Sequence, residues 1–311
     1  MKNPFIYSID NKRYHTLNYH FLKTFGKKLY KASVDAGFSC PNIDGTVSHG
    51  GCSFCLGGSG FFCKKALSVT EQLTSESCRI EKKHGINAPV IAYFQAHTNT
   101  YAPLKVLKEK YEEALSFKNV CGISIATRAD CLEDDKIEYL SSLSRKTYLT
   151  VELGLQTAND KTAKQFNRGY DFGVFENALK KLQSCGIRTC VHIINGLCGE
   201  DENDMLNTAK TLGALMPNAV KISLLYVLKN TGYESLYQKK LYNPLSFDEY
   251  IDITCRQLTY LPPNCVIERI TGDGIADSLI APLWSKNKIA VLGGIDKHMA
   301  ELDIYQGCKI N

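Results

Sequence analysis

The sequence predicts an α/β fold: a partial (β/α)6 barrel of parallel strands, with an extension at each end. Three observations point to it. Short apolar runs with strand character alternate with longer runs of helical spacing six times between residues 28 and 229. The connections between them are short, as in a parallel sheet covered by helices. Polar residues gather just after each apolar run, where barrel-like α/β folds place their sites.

Taken in order, residues 14–26 carry Leu17, Phe21, Leu22 and Phe25 at helical spacing and predict a leading amphipathic helix. Residues 29–35 predict a first strand that delivers a cysteine-bearing loop. Helix is expected over 68–84, 103–117, 133–143, 171–185 and 201–215. Strands are expected over 89–94, 122–126, 148–153, 189–194 and 219–225. The domain reading is an N-terminal extension over 1–27, a barrel core over 28–229 and a C-terminal extension over 230–311 that closes the barrel's side. The segment Arg269-Ile270-Thr271-Gly272-Asp273, after a short apolar run, is expected to form an additional strand closing the barrel.

A chain of 311 residues is long enough for one large domain with appendages. Its composition is that of an ordinary soluble globular protein, with 44% apolar and 22% charged residues. There is no apolar run of membrane-spanning length, so no membrane partner is expected. With no secretory leader before them, the 13 cysteines read as reduced thiols or ligands and the location as cytoplasmic. The net charge of +5 allows an anionic partner without requiring one. Basic pairs such as Lys27-Lys28, Lys64-Lys65 and Lys239-Lys240 read mostly as solvated helix ends and loops.

The stretch that organises the chain is Gly37-Phe38-Ser39-Cys40-Pro41-Asn42, continuing to Gly50-Gly51-Cys52-Ser53-Phe54-Cys55. Thiolates suit soft metals and iron–sulfur clusters, and glycines let backbone approach inorganic sulfide closely. Three ligands would leave one iron of a four-iron cluster open, whereas a structural zinc site takes four. A zinc knuckle and unligated buried cysteines remain the alternatives from the residues alone.

This phrase resembles the radical S-adenosylmethionine (SAM) enzymes, whose usual signature is C-x-x-x-C-x-x-C. The first gap is stretched here, as in the branch that includes the elongator catalytic subunit. The resemblance implies a [4Fe–4S] cluster on Cys40, Cys52 and Cys55. Its open iron would chelate the amino and carboxylate groups of SAM, with Phe54 beside the cofactor. It also implies reductive cleavage of SAM to a 5′-deoxyadenosyl radical, with electrons from a donor such as flavodoxin or ferredoxin. Cys63 is closest in sequence to the cluster loop but reads as a spare thiol.

The strand ends extend the resemblance. Gln95-Ala96 stands where many of these enzymes carry a glycine-rich segment that receives SAM's ammonium, so Gln95 is expected to offer a carbonyl. Arg128 is placed near the cofactor's ribose or carboxylate, or else against Asp130. Glu152-Leu153-Gly154-Leu155-Gln156-Thr157, then Asn167-Arg168-Gly169, resembles the elongator branch and the anaerobic coproporphyrinogen dehydrogenases. There Gln156 and Arg168 would hold SAM's methionine end, and Glu152 shares their strand face. His192-Ile193-Ile194-Asn195-Gly196 resembles the family's adenine-binding segment, with Ile194 on adenine and His192 facing the interior. Lys221, Arg269, Asp273 and Trp284 are assigned to a substrate-binding rim, together with Lys286 and Lys288.

The resemblance extends over about residues 10–290 and is nearest to a small bacterial branch typified by the MnmL-type tRNA wobble-uridine enzymes. The chain is expected to lack an acetyltransferase domain. The implied substrate is the tRNA anticodon region, with 5-carboxymethylaminomethyl uridine converted to 5-aminomethyl uridine. The alternatives are a radical SAM enzyme acting on a tetrapyrrole or other small anion, or a non-catalytic metal-stabilised RNA-binding module.

Overall fold

The computed structural model describes residues 3–56, 66–85, 88–272 and 277–310. The alternation runs α1 (Leu17–Phe25), β1 (Tyr30–Val34), α2 (Val69–His84), β2 (Val90–Phe94), α3 (Leu104–Leu115), β3 (Val120–Thr127), α4 (Asp134–Ser144) and β4 (Tyr148–Gln156). It continues with α5 (Asp160–Gln165), α6 (Phe172–Ser184), β5 (Arg188–Asn195), α7 (Glu202–Leu215) and β6 (Ala219–Leu224). After the core come β7 (Val227–Leu228), α8 (Gly232–Gln238), α9 (Phe247–Leu258), β8 (Val266–Arg269), β9 (Leu279–Ala281) and α10 (Lys288–Glu301).

The helix boundaries follow local chemistry. Ser68 and Glu71 form a capping box on α2, and Gly85 ends that helix in the left-handed conformation. Asp201 with Asp204 caps α7, and Ser246 with Glu249 caps α9. The short helix α5 was not expected from the sequence; Asn159 caps it by accepting from Lys161 and Thr162.

Seven strands form one parallel sheet in the order β1-β2-β3-β4-β5-β6-β8. The core therefore has one strand more than the six expected, because β8 pairs with β6. It is the strand anticipated around Arg269. The sheet curls until its edges face each other: Lys31 of β1 reaches Glu268 of β8 at 2.7 Å. An ion pair, not a backbone ladder, links the two edges.

Alternation along the strands divides two environments. On β4, Val151, Leu153 and Leu155 are fully buried in the apolar layer shared with the helices. Glu152, between them, points into the barrel. The extension before β1 closes the bottom of the barrel and also lies on the β8 edge, where Ile267 N–H donates to the His15 carbonyl at 2.7 Å. Phe21 of α1 packs with Leu29 and Ile91, flanked by Cys121 and Tyr148, at the entering ends of the first four strands.

Candidate active site

The cysteine loop leaves the C-terminal end of β1 and is fastened to the loop after β4. The Asn42 amide donates to the carbonyls of Asn167 (2.6 Å) and Arg168 (3.1 Å). In return the Asn167 amide donates to Ser48 Oγ (2.8 Å) and to the Gly51 carbonyl (3.0 Å). Gly169 must be glycine: its φ is +87°, and a Cβ there would stand 2.8 Å from Asn42 Oδ1. The N-R-G phrase is thus the clasp of the cysteine loop.

Cys52 and Cys55 share a tight turn, with Cys55 N–H donating to the Cys52 carbonyl at 2.8 Å. Burial pushes the Cys52 thiol up to about 12, and the neighbouring Cys55 and Cys40 thiols push the same way. Such a thiol loses its proton readily when a metal cation binds the sulfur in its place. Among the described residues, no three His, Cys, Asp or Glu side chains converge as a single metal ion requires. A cubane takes one thiolate per iron, so its ligands stand apart. Cys52, acted on by Cys55 and Cys40, belongs to a three-thiol set of the described residues that suits a cubane with one open iron better than mononuclear zinc. Cys63 lies outside the described residues.

Arg128 pairs with Asp130 through two hydrogen bonds of 2.9 and 2.7 Å, and Arg168 is also engaged by the protein. The Arg168 guanidinium donates to the carbonyls of Leu155 (3.0 Å), Thr157 (2.8 Å) and Tyr170 (2.9 Å) and to Asp160 (2.7 Å). The Tyr170 ring has the Arg128 guanidinium carbon 5.0 Å and the Arg168 one 4.9 Å from its centroid. Arg168 therefore shapes the loop after β4 from behind. Gln156 stands at a bulge with φ +63°, and its amide lies over Gly154, which has no side chain in the way. Gln95 accepts from Ser33 Oγ at 3.1 Å. Phe54 packs on Phe166 with ring centroids 5.3 Å apart, and Ile194 lies against the same small apolar cluster.

Inside the barrel, Glu152 is the hub. It accepts from Lys31 (2.7 Å), Ser124 (2.8 Å), Tyr93 (2.9 Å) and Lys221, and it meets His192 Nε2 at 2.7 Å. Glu268 joins the network through Lys31 (2.7 Å) and Arg188 (2.8 Å). Burial alone would raise both carboxyls. Instead Lys221 and Lys31 hold Glu152 well below the carboxylate range, and Lys31 and Arg188 bring Glu268 to about 2. The reverse holds for His192, which burial and the Lys221 charge bring down to about 4, leaving it neutral at pH 7. His192, through Nε2, and Lys221 thus both bond to Glu152 inside the barrel. Lys31, Tyr93, Ser124, Arg188 and Glu268 complete the network and were not singled out from the sequence. A lysine in mid-strand at 31 was the available signal, of the same kind that marked Lys221.

Gly154, His192, Lys221 and Arg269 stand in one row across β4, β5, β6 and β8. The row places Arg269 beside the hub, where its Nη2 donates to Ser223 Oγ at 3.0 Å. Trp284 lies elsewhere: its indole donates to the Leu245 carbonyl (3.2 Å) and its rings pack on Phe247 and Tyr250. It anchors the segment before α10 to α9. Asp273 lies outside the described residues. Among the described residues, no helix is long and apolar enough to cross a membrane.

Residues 45–212 match the Radical SAM superfamily, and residues 217–301 match the Radical_SAM C-terminal domain. An uncharacterized protein of Bacillus subtilis, YtqA, is 48% identical over 98% of this chain and 95% of its own length. Elongator complex protein 3 of Mus musculus is 25% identical over 53% of this chain, which is 30% of that protein. Among solved structures, Elp3 of the archaeon Methanocaldococcus infernus, with its N-terminus deleted, superposes with a TM-score of 0.67 at 15% identity. That match covers 89% of this chain and 64% of the archaeal one. With the three-thiol loop at the mouth of a seven-stranded parallel half-barrel, these matches settle the family: the chain belongs to the radical SAM superfamily, is similar to its elongator proteins, and is an enzyme whose cofactors are a [4Fe–4S] cluster and SAM.

Proposed function

We propose that this enzyme modifies the wobble uridine in the tRNA anticodon, converting a 5-carboxymethylaminomethyl group to 5-aminomethyl, in the cytoplasm and with electrons from a flavodoxin or ferredoxin. The observation that carries this reading is the likeness of the cysteine loop and of the E-x-G-x-Q-T and N-R-G phrases to the wobble-uridine branch. The similarity to elongator complex protein 3 over 168 residues supports it.

Cys40, Cys52 and Cys55 would hold the cluster, with Phe54, Gln95, Gln156 and Ile194 around SAM. Arg128, pinned by Asp130 and Tyr170, would lend positive charge to the same mouth, and Arg168 would position the loop that carries it. Bound together, the two cofactors supply a 5′-deoxyadenosyl radical for hydrogen abstraction. The Glu152–Glu268 network floors the chamber and keeps bulk water from the radical's side. The methylene between amine and carboxylate suits abstraction, since the neighbouring nitrogen stabilises the carbon radical. Loss of one further electron gives an iminium, which water cleaves to the primary amine and a two-carbon oxo acid. That electron needs an acceptor, such as the oxidised form of the electron donor.

Splayed anticodon bases are typically held by stacking and by phosphate contacts, so tRNA affinity is expected to fall steeply with salt. The test is a single anaerobic incubation with SAM, reductant and tRNA bearing the carboxymethylaminomethyl nucleoside, read by nucleoside mass spectrometry. Conversion to aminomethyl uridine supports the reading. SAM cleavage with the nucleoside left intact refutes it and returns the small-anion or tetrapyrrole reading.

A further inference from the structure

We propose that Arg269, with the Ser223 and Thr271 hydroxyls beside it, forms a carboxylate-binding subsite in the barrel's C-terminal mouth, where it seats a carboxylate of the substrate. The subsite is argued from this chain's own charges; its assignment to the carboxymethyl group rests on the tRNA reading above.

The first ground is a donor left over. Arg269 Nη2 reaches Ser223 Oγ at 3.0 Å, while Nε, on the same edge of the guanidinium, is buried with no hydrogen-bond partner. That edge is the one that grips a carboxylate with two parallel hydrogen bonds. Buried donors are otherwise nearly always paired, so an orphan on this edge marks a missing acceptor.

The second ground is the surroundings. The hydroxyls of Tyr226 and Thr271 are likewise buried without a well-formed hydrogen bond. Burial raises the Tyr226 phenol, and the Thr271 hydroxyl and the Arg269 charge both draw it down against that. Gly272 keeps the wall thin, since a Cβ there would stand 3.0 Å from the Tyr226 hydroxyl.

The third ground is charge. Among the described residues, the strands turn Lys31, Arg188, Lys221 and Arg269 inward against Glu152 and Glu268, with His192 neutral. Three of those cations share the two carboxylates, and among the described residues Arg269 is bonded to Ser223 and to no carboxylate. A low-dielectric chamber with surplus cations draws an anion. A carboxylate fits the flat donor edge and two nearby hydroxyls, and the row that joins Arg269 to Gly154 and His192 leads across the sheet to the β4 bulge at Gln156.

Two measurements on the cluster-reconstituted full chain test this. In the first, 13C-labelled acetate is titrated with the protein and its line broadening followed, with acetamide as the neutral control. Wild type is expected to broaden acetate and not acetamide, and Arg269→Gln to weaken the effect about 10-fold or more. Arg269→Lys keeps the charge without the fork and is expected to restore only part, and it replaces Arg269→Gln should that variant fail to fold. Equal broadening by wild type and either variant, or equal broadening of acetamide, overturns the subsite.

The second compares binding of tRNA carrying the carboxymethylaminomethyl nucleoside with tRNA carrying the aminomethyl one. Wild type is expected to prefer the former by about 10- to 100-fold, and Arg269→Gln to bring the two together. Acetate binding that depends on Arg269 without this tRNA preference upholds the subsite and refutes the tRNA assignment.

Discussion

The floor of the barrel and its mouth are built from the same residue types to opposite ends. On the floor, the charges answer one another, with Arg188 Nη2 left over: Glu152 gathers Lys31, Lys221, Tyr93, Ser124 and His192, and Glu268 gathers Lys31 and Arg188. At the mouth, polar atoms are left over: among the described residues, Asn42 Oδ1, Glu200 Oε2 and Arg269 Nε are buried without hydrogen-bond partners. A satisfied polar network fixes one geometry, whereas an unsatisfied one waits for something to complete it. The floor holds shape and the mouth holds ligands.

The sharpest way to break this contrast is at the cysteines. Cys40→Ala, Cys52→Ala and Cys55→Ala are each expected to lose the cluster and reduce SAM cleavage to background, with the fold retained. Iron content against the roughly four irons per chain of a [4Fe–4S] cluster, together with cleavage assays, checks this. Full activity in any one variant would remove that thiolate from the site.

Next comes the floor. Glu152→Gln leaves Lys31 and Lys221 buried with too little counter-charge, at an expected cost of about 3–5 kcal/mol in denaturant unfolding. Pairing it with Lys221→Met should recover part of the loss. A cost below about 1 kcal/mol would mean that the floor is not the structural half of the barrel.

Gln156 and Arg168 probe the border between the two regions. Arg168→Ala is expected to cost about 2–4 kcal/mol of stability, since it abandons four hydrogen-bond acceptors in a buried loop. Gln156→Ala should leave stability within about 1 kcal/mol and weaken SAM binding about tenfold. Calorimetric SAM titrations alongside melting curves separate the two. Loss of SAM affinity in Arg168→Ala without loss of stability would move that guanidinium from loop to ligand.

The smallest expected effect is a pH slope. Burial raises the Glu200 carboxyl from 4.5 to about 7. The native chain therefore keeps a proton that the unfolded chain releases earlier, and stability falls as pH rises from about 4.5 to about 7. Glu200→Gln should flatten that slope and be the more stable form above pH 7, by about 1–3 kcal/mol. Parallel slopes in wild type and variant would show that Glu200 is already ionised there.

Much of this was legible in the linear chain, because it depends on local chemistry. Strand and helix periods, caps such as Ser68 with Glu71, and the three-thiol phrase are properties of neighbouring residues. The additional strand expected over 269–273 lies earlier, at Val266–Arg269, in the apolar run itself. What only the tertiary structure decided is which polar groups meet. Lys221 and His192 face the barrel as expected, yet their partner is Glu152, because β4, β5 and β6 are neighbours in register. Lys31 and Glu268 lie 237 positions apart, and only the curl of the sheet joins them. Trp284 took a helix and a carbonyl in place of a rim, and Arg168 took backbone in place of a cofactor. A charge buried without water must find its complement somewhere in the fold. Sequence shows that such a charge exists, and the closing of the sheet decides where its complement lies.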